Sequence, residues 1–329
     1  MHFWRNASPV LVLVVAAVVV PLLIPGTASA QEPFVLQESG FDVTDLGSSA
    51  GPKGAACSPG GVWGDYVYIG ESSGNAVERI DFLDNVSLFA SGSPDIDFPV
   101  GMAFGPGPAN DFGTFLYVAN YGSGRITRLD TFGGPTLFVN YPQVTDLAFD
   151  PTGAYGTDLF AATYFGDINT VSSTGVITLF SSAVQSLYLR FGPGGVWGTG
   201  LYATNNSGPP GVGIVTVATD GTPTLFSGGF TNPEQFDWAF GGSFGGDMFA
   251  SDMAAGEVWR VKPDGTRTLF ATGERPAGIV FCNDCLYVTS FAGGCWKICE
   301  SPTTVESATW GGIKQTYGAE EPETGEDEE

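Results

Sequence analysis

A six-bladed β-propeller, an all-β ring of four-stranded antiparallel blades, is the fold this sequence predicts, on three observations. The first is a repeated phrase in which an apolar or aromatic residue precedes Tyr or Phe and then small or β-branched residues. It recurs as Tyr66-Val67-Tyr68-Ile69, Leu116-Tyr117-Val118-Ala119, Leu159-Phe160-Ala161-Ala162, Leu201-Tyr202-Ala203-Thr204, Met248-Phe249-Ala250-Ser251 and Leu286-Tyr287-Val288-Thr289. Its aromatic returns at intervals of roughly 40–50 residues, the size of a propeller blade. The second is a closing phrase that keeps step with it: Ser87-Leu88-Phe89, Thr136-Leu137-Phe138, Thr178-Leu179-Phe180, Thr224-Leu225-Phe226 and Thr268-Leu269-Phe270. The third is an opening phrase, first Gly54-Ala55-Ala56-Cys57 and later ending in Phe104, Phe149, Phe191, Phe240 or Phe281. Between the phrases, Gly133-Gly134, Asp220-Gly221 and Asp264-Gly265 fit tight hairpins, and Gly192-Pro193-Gly194-Gly195 fits a looser turn. One such unit cannot bury both of its faces, so the units must stack around an axis.

Composition agrees. With 48 Gly and 22 Pro in 329 residues, 13% aromatic and only 14% charged, the chain cannot be a coiled coil or helical bundle. Its 43% hydrophobic content excludes general disorder. The sixth unit lacks a closing strand, and Phe41-Asp42-Val43-Thr44-Asp45-Leu46 resembles it. Closure of the last blade by this N-terminal strand is therefore expected, with Thr303–Ser307 as the rival. It would remove an exposed sheet edge.

The remaining segments follow from this frame. Residues 1–30 read as a secretory signal: Arg5 supplies the positive start, Pro9 to Ile24 the apolar stretch and Ala28-Ser29-Ala30 the small-residue cleavage pattern. Cleavage near Ala30-Gln31 would yield a secreted or periplasmic protein without a membrane span, expected to be a monomer. Residues 31–40 form a leader, 41–300 the propeller, 301–318 an extension and 319–329 an acidic, disordered tail. In the extension, Trp310, Ile313 and Tyr317 have the spacing of one helical turn. Export permits disulfides. All five cysteines lie beyond residue 30, four of them between Cys282 and Cys299. A hairpin folding Leu286–Ser290 onto Cys295–Cys299 would set Cys285 opposite Cys299, the favoured pair, while the odd number leaves at least one thiol free or paired elsewhere. A zinc site from these cysteines is the lesser reading, because no histidine accompanies them.

Charge and histidine content narrow the chemistry. Twelve Lys+Arg stand against 35 Asp+Glu, a formal charge of -23, which argues against nucleic acid as a partner. The single histidine is His2, inside the expected signal. The mature chain then has no imidazole for a Ser-His-Asp triad, a histidine base or a His-ligated metal.

Aligned repeats place Glu71, Asn120, Thr163, Asn205, Asp252 and Ser290 just after the second strand of each unit. Oxygen-bearing side chains in a ring suit a hard cation such as Ca2+, and they equally suit capping of the following turn. A second column holds Gly54, Gly101 and Gly278 in three units but Asp146 and Asp237 in two others, with Glu234 nearby. Buried carboxylates need a cation, a partner or water, so an acidic axial mouth made with Asn120, Asn205 and Asp252 is expected. Tyr121, Tyr164 and Phe291 follow the polar column and would ring the same face as platforms for a sugar or peptide. Asn85-Val86-Ser87 and Asn205-Asn206-Ser207 match the glycosylation pattern.

Pro99-Val100-Gly101-Met102-Ala103-Phe104, Leu116-Tyr117-Val118-Ala119-Asn120 and Pro263-Asp264-Gly265-Thr266 resemble NHL-type repeats and the related senescence-marker/gluconolactonase propellers, over residues 41–300. That resemblance implies a six-bladed ring and, in the lactonases, a metal held by Asn in Asn-Gly phrases together with an N-terminal Glu. Here the corresponding opening positions are Lys53, Val100, Thr145, Leu187, Phe236 and Ala277. None is Asn. A streptogramin-lyase-like activity would imply a catalytic histidine, which the propeller lacks. The expected function is a non-catalytic module binding a glycan, protein or small ligand through its loop face. The alternative is a calcium-dependent lactonase or esterase with a rearranged metal site drawn from Asp146, Asp237, Asn120, Asn205, Asp252 and Glu71.

Overall fold

The computed structural model describes residues 34–47, 49–164, 166–182 and 184–302, and they form the expected ring of blades. Strands a to d of blade 1 are Pro52–Cys57, Val67–Glu71, Ala76–Ile80 and Val86–Ser91. Blade 2 comprises Pro99–Phe104, Leu116–Asn120, Arg125–Leu129 and Pro135–Asn140, and blade 3 Val144–Phe149, Leu159–Thr163, Ile168–Val171 and Ile177–Ser181. Blade 4 comprises Leu189–Phe191, Leu201–Asn205, Gly213–Val217 and Pro223–Gly228. Blade 5 comprises Pro233–Ala239, Asp247–Asp252, Glu257–Val261 and Arg267–Thr272, and blade 6 begins Pro276–Cys282, Cys285–Ser290, Cys295–Glu300. Each strand a packs against the next, and that of blade 6 against that of blade 1, closing the ring around an axis.

The N-terminal strand Phe41–Asp45 completes blade 6, antiparallel to Cys295–Glu300 with Phe41 opposite Glu300. Thr303–Ser307, the Trp310-Ile313-Tyr317 spacing, the acidic tail and the signal lie outside the described residues. The leader also contributes: Val35–Leu36 adds a fifth strand to the outer edge of blade 5, and Phe34 stacks on Trp296 at 4.8 Å.

The three phrases are the parts of one recurring aromatic cluster between blades. Tyr68 of strand b, Phe89 of the closing phrase and Phe104 of the next blade surround Trp63, with ring centroids 5.1–6.0 Å from it. Phe112, Tyr117, Phe138 and Phe149 repeat this between blades 2 and 3, and Tyr155, Phe160, Phe180 and Phe191 between blades 3 and 4. Between blades 4 and 5 the opening-phrase position is filled by Trp238, 5.3 Å from Tyr202 and 5.9 Å from Trp197. Phe240, which the pattern assigned to it, is exposed. Trp238, opposite Met248, holds the register position that Phe104 holds opposite Leu116, so the aromatic that reaches the cluster lies two residues before Phe240. The fourth member, Trp63 or Trp197 in a single 3-10 turn, lies outside the three repeated phrases. Its indole N–H donates to a carbonyl of the next blade, Thr114 or Gly246, at 2.8 Å.

Two disulfides form. Cys285–Cys299 is the expected pair, cross-strand partners in blade 6. Cys57–Cys282 joins strand a of blade 1 to strand a of blade 6, and Cys295 is the free, buried thiol. Among the described residues no helix is long and apolar enough to cross a membrane.

Candidate functional site

Strand pairing defines two rings of side chains around the axis. The upper ring is Gly54, Gly101, Asp146, Tyr188, Gln235 and Gly278; the lower is Ala56, Ala103, Ala148, Arg190, Asp237 and Val280, each opposite the strand-b aromatic of its blade. Asp146 thus holds the glycine position of blade 3. In blade 5 that position is Gln235, and Asp237 sits one layer lower, because the residue in register with Phe104 and Phe149 is Trp238, opposite Met248, and not Phe240. The glycines have a steric cause: a Cβ at Gly54 would collide with the Val100 carbonyl, and one at Gly101 with Asp146.

Blades 6, 1 and 2 therefore offer bare backbone to the axis, and blades 3, 4 and 5 offer long polar side chains that bind it. Gln235 accepts from the Ala55 and Ile279 amides and donates to the Ala55 carbonyl, each at 3.0 Å. Arg190 reaches across the axis from blade 4 to the Ala55 carbonyl of blade 1 at 3.4 Å and pairs with Asp146 at 3.1 Å. Asp146 also accepts from the Leu189 amide at 2.9 Å. Burial pushes its carboxyl up to about 6 against the pull of Arg190. Asp237 accepts from the Phe281 and Trp238 amides at 2.9 and 3.0 Å, and burial raises it too, with Arg190 opposing. Glu234 lies 3.5 Å from Lys53. Burial raises its pKa, and Lys53 opposes that rise.

The axial carboxylates are thus interleaved with Arg190 and Lys53, and the expected acidic mouth is charge-compensated. This set does not fit calcium. The axial oxygens without an ordinary hydrogen bond are Asp146 Oδ1, Thr145 Oγ1, Tyr188 Oη and Glu234 Oε2, the last facing Lys53, so two cationic side chains are already among them. Among the described residues no three His, Cys, Asp or Glu side chains converge as a metal would require.

In the polar column, most members clip the loop that leads into strand a of their own blade. Asn120 accepts from the Asp97 amide at 3.0 Å, Asn205 from that of Gln185 at 2.9 Å, and Asp252 from those of Thr231 and Asn232 at 2.7 and 2.8 Å. Ser290 donates to the Glu274 carbonyl, and Thr163 to that of Asp167 at 3.2 Å. Asn205 is fully buried, so its glycosylation pattern cannot be used, whereas Asn85 is exposed. Glu71 alone makes no hydrogen bond of ordinary geometry through either oxygen.

The aromatic residues do assemble. Tyr164 and Tyr121 are 5.9 Å apart, Tyr121 and Phe98 5.8 Å, and Phe98 and Phe291 6.2 Å, forming an arc on the b–c and d–a loop face. Phe98, which carries a positive φ of 52°, is the link that repeat alignment missed. Lys53 and Arg275 lie over Phe291 at 5.5 and 4.6 Å. At the other end of the arc Tyr164, about half exposed, borders a cavity of about 210 Å³ with Gln185, Leu187, Asn206 and Asn232. Asn206 donates to Asn232, which in turn donates to Glu234 at 3.3 Å. The Asn206 carbonyl oxygen has no partner.

No protein-family model matches this chain, and no curated protein sequence does. Solved structures do match it in shape. A gluconolactonase from Xanthomonas campestris superposes with a TM-score of 0.61 at 15% identity, over 82% of this chain and 95% of that one. A streptogramin B lyase superposes with a TM-score of 0.57 at 15% identity, over 79% and 98%. An auxiliary nutrient binding protein from Bacteroides ovatus does so with a TM-score of 0.58 at 15% identity, over 80% and 78%. At such identities the likeness is one of fold, and the chain is a six-bladed β-propeller of the architecture shared by gluconolactonase-like proteins and streptogramin lyases.

Proposed function

We propose that this protein is an exported binding module whose loop face takes a saccharide. The observation that carries this reading is the meeting of an exposed aromatic platform with an amide-lined cavity at Tyr164. A tyrosine face stacks on the apolar side of a sugar ring, and Gln185, Asn206 and Asn232 supply neutral donors and acceptors for its hydroxyls. The two disulfides fit an extracellular or periplasmic setting, as does the secretory signal expected at residues 1–30. The nutrient-binding likeness supports ligand capture without catalysis.

Titration of the mature chain against a panel of oligosaccharides, read by intrinsic fluorescence and calorimetry, tests this. Tyr164→Ala should weaken binding about tenfold, the scale of one aromatic contact. Failure of every glycan to bind, or indifference to Tyr164→Ala, would overturn it. The calcium-dependent lactonase alternative is tested by thermal unfolding in EDTA and then in excess calcium. Because Arg190 and Lys53 already pair with Asp146 and Glu234, the melting temperature should not change and lactones should not be hydrolysed. A saturating rise with calcium would restore that alternative.

A further inference from the structure

The clasp between blades 1 and 6 holds a second cavity, of about 300 Å³, lined by none of the arc's aromatics. Leu46, Ile69, Ile80 and Val86 give it apolar walls, and Glu71, Glu78 and Cys295 also line it. Glu71 is 2% exposed and neither of its oxygens makes a hydrogen bond of ordinary geometry. In the other blades the residue at this position spends its oxygen on a nearby backbone group. In blade 1 the chain arrives from the N-terminal strand Phe41–Asp45, and the carboxylate lines the cavity with the Ser49 hydroxyl and the Ala50 amide beside it, neither in ordinary hydrogen-bond geometry. Glu78 is a second, half-buried carboxylate without an ion pair among the described residues. Asp45 and Asp84 also act on this region electrostatically. The cation described nearby, Lys297, is committed to Asp84 at 2.7 Å.

We propose that this clasp cavity binds a small organic cation, an ammonium group on an apolar body, with Glu71 and Glu78 as its counter-charges. Two uncompensated carboxylates call for positive charge, since a buried carboxylate without a partner is costly. The apolar walls and the volume suit a carbon-bearing amine better than a bare metal ion, which would need a fuller set of oxygen donors than the two carboxylates supply. This site is separate from the saccharide reading and does not depend on it.

The probes are n-butylammonium and its neutral analogue n-butanol, added to the mature protein at pH 8 during thermal unfolding. Butylammonium should raise the melting temperature saturably, by about 5 °C at a hundred times its Kd, and butanol should not. Glu71→Gln should abolish the response, and Asp220→Asn, a change at an exposed turn, should retain it. Cys295, the one free thiol, gives an independent reading, because butylammonium should slow its alkylation several-fold in the wild type but not in Glu71→Gln. Absence of a saturable response, an equal response to butanol, or a response that survives Glu71→Gln would overturn the proposal. So would stabilisation by calcium but not by butylammonium.

Discussion

At the scale of single residues, Glu71 shows what an unmatched polar atom does to a fold. Burial pushes its carboxyl up to about 7; the nearby Ser49 hydroxyl pulls it down, Glu78 pushes it up, and the Ala50 amide pulls it down. The folded state therefore holds a proton that the unfolded chain releases near the ordinary value of 4.5. This stabilisation is complete below the unfolded pKa and is lost as pH rises through about 7, above which the loss is constant. The charged group that acts on Glu71 does not reverse the sign: Glu78 is acidic, and the nearby Lys297 is spent on Asp84. Urea unfolding of wild type and Glu71→Gln between pH 4 and pH 8 should diverge. The variant should gain on the wild type by roughly 3 kcal/mol across that range, since each pH unit separating the folded and unfolded pKa is worth about 1.4 kcal/mol. Parallel curves would mean that the carboxyl is solvated. The sequence placed Glu71 in the right column, but its lack of a counter-charge was invisible there, because which groups surround a blade's entry is a property of the closed ring.

At the scale of strands and blades, the clasp was legible and the seam was not. Phe41–Asp45 carries a strand pattern where a strand was missing, and Cys285 and Cys299 face each other because their hairpin register sets them opposite. Both are local inferences. Cys57–Cys282 spans 225 residues and follows only from ring closure, which brings the first and last inner strands together. The place of Asp237 one layer below Asp146 escapes repeat alignment for a different reason: the opening phrase aligns on Phe240, whereas the aromatic in register is Trp238, two residues earlier. The two disulfides differ in what they close. On chain entropy alone, the 225-residue link is worth about 5 kcal/mol and the 14-residue link about 3. Replacing Cys57 and Cys282 by Ser should lower the denaturant midpoint more than replacing Cys285 and Cys299. An equal or smaller effect would show that the strand Phe41–Asp45 already holds the seam in the unfolding transition.

At the scale of the whole molecule, the ring is six-fold in backbone but two-sided along its axis. Glycine or small residues from blades 6, 1 and 2 let backbone approach the centre, and Asp146, Tyr188, Arg190 and Gln235 cross to it from blades 3, 4 and 5. Arg190 is central because it satisfies Asp146 of the neighbouring blade and reaches Ala55 in the blade opposite. Removing one partner of a buried pair strands the other, at about 3–5 kcal/mol, whereas replacing both with neutral groups can be nearly free. Arg190→Leu should accordingly destabilise the propeller by several kcal/mol in urea unfolding. Asp146→Asn added to it should recover most of the loss, since the amide keeps the acceptor for the Leu189 N–H while shedding the buried charge. If the double variant is no more stable than Arg190→Leu, the cost lies in the lost span across the axis. The arginine would then act as a strut between opposite blades rather than as a counter-ion.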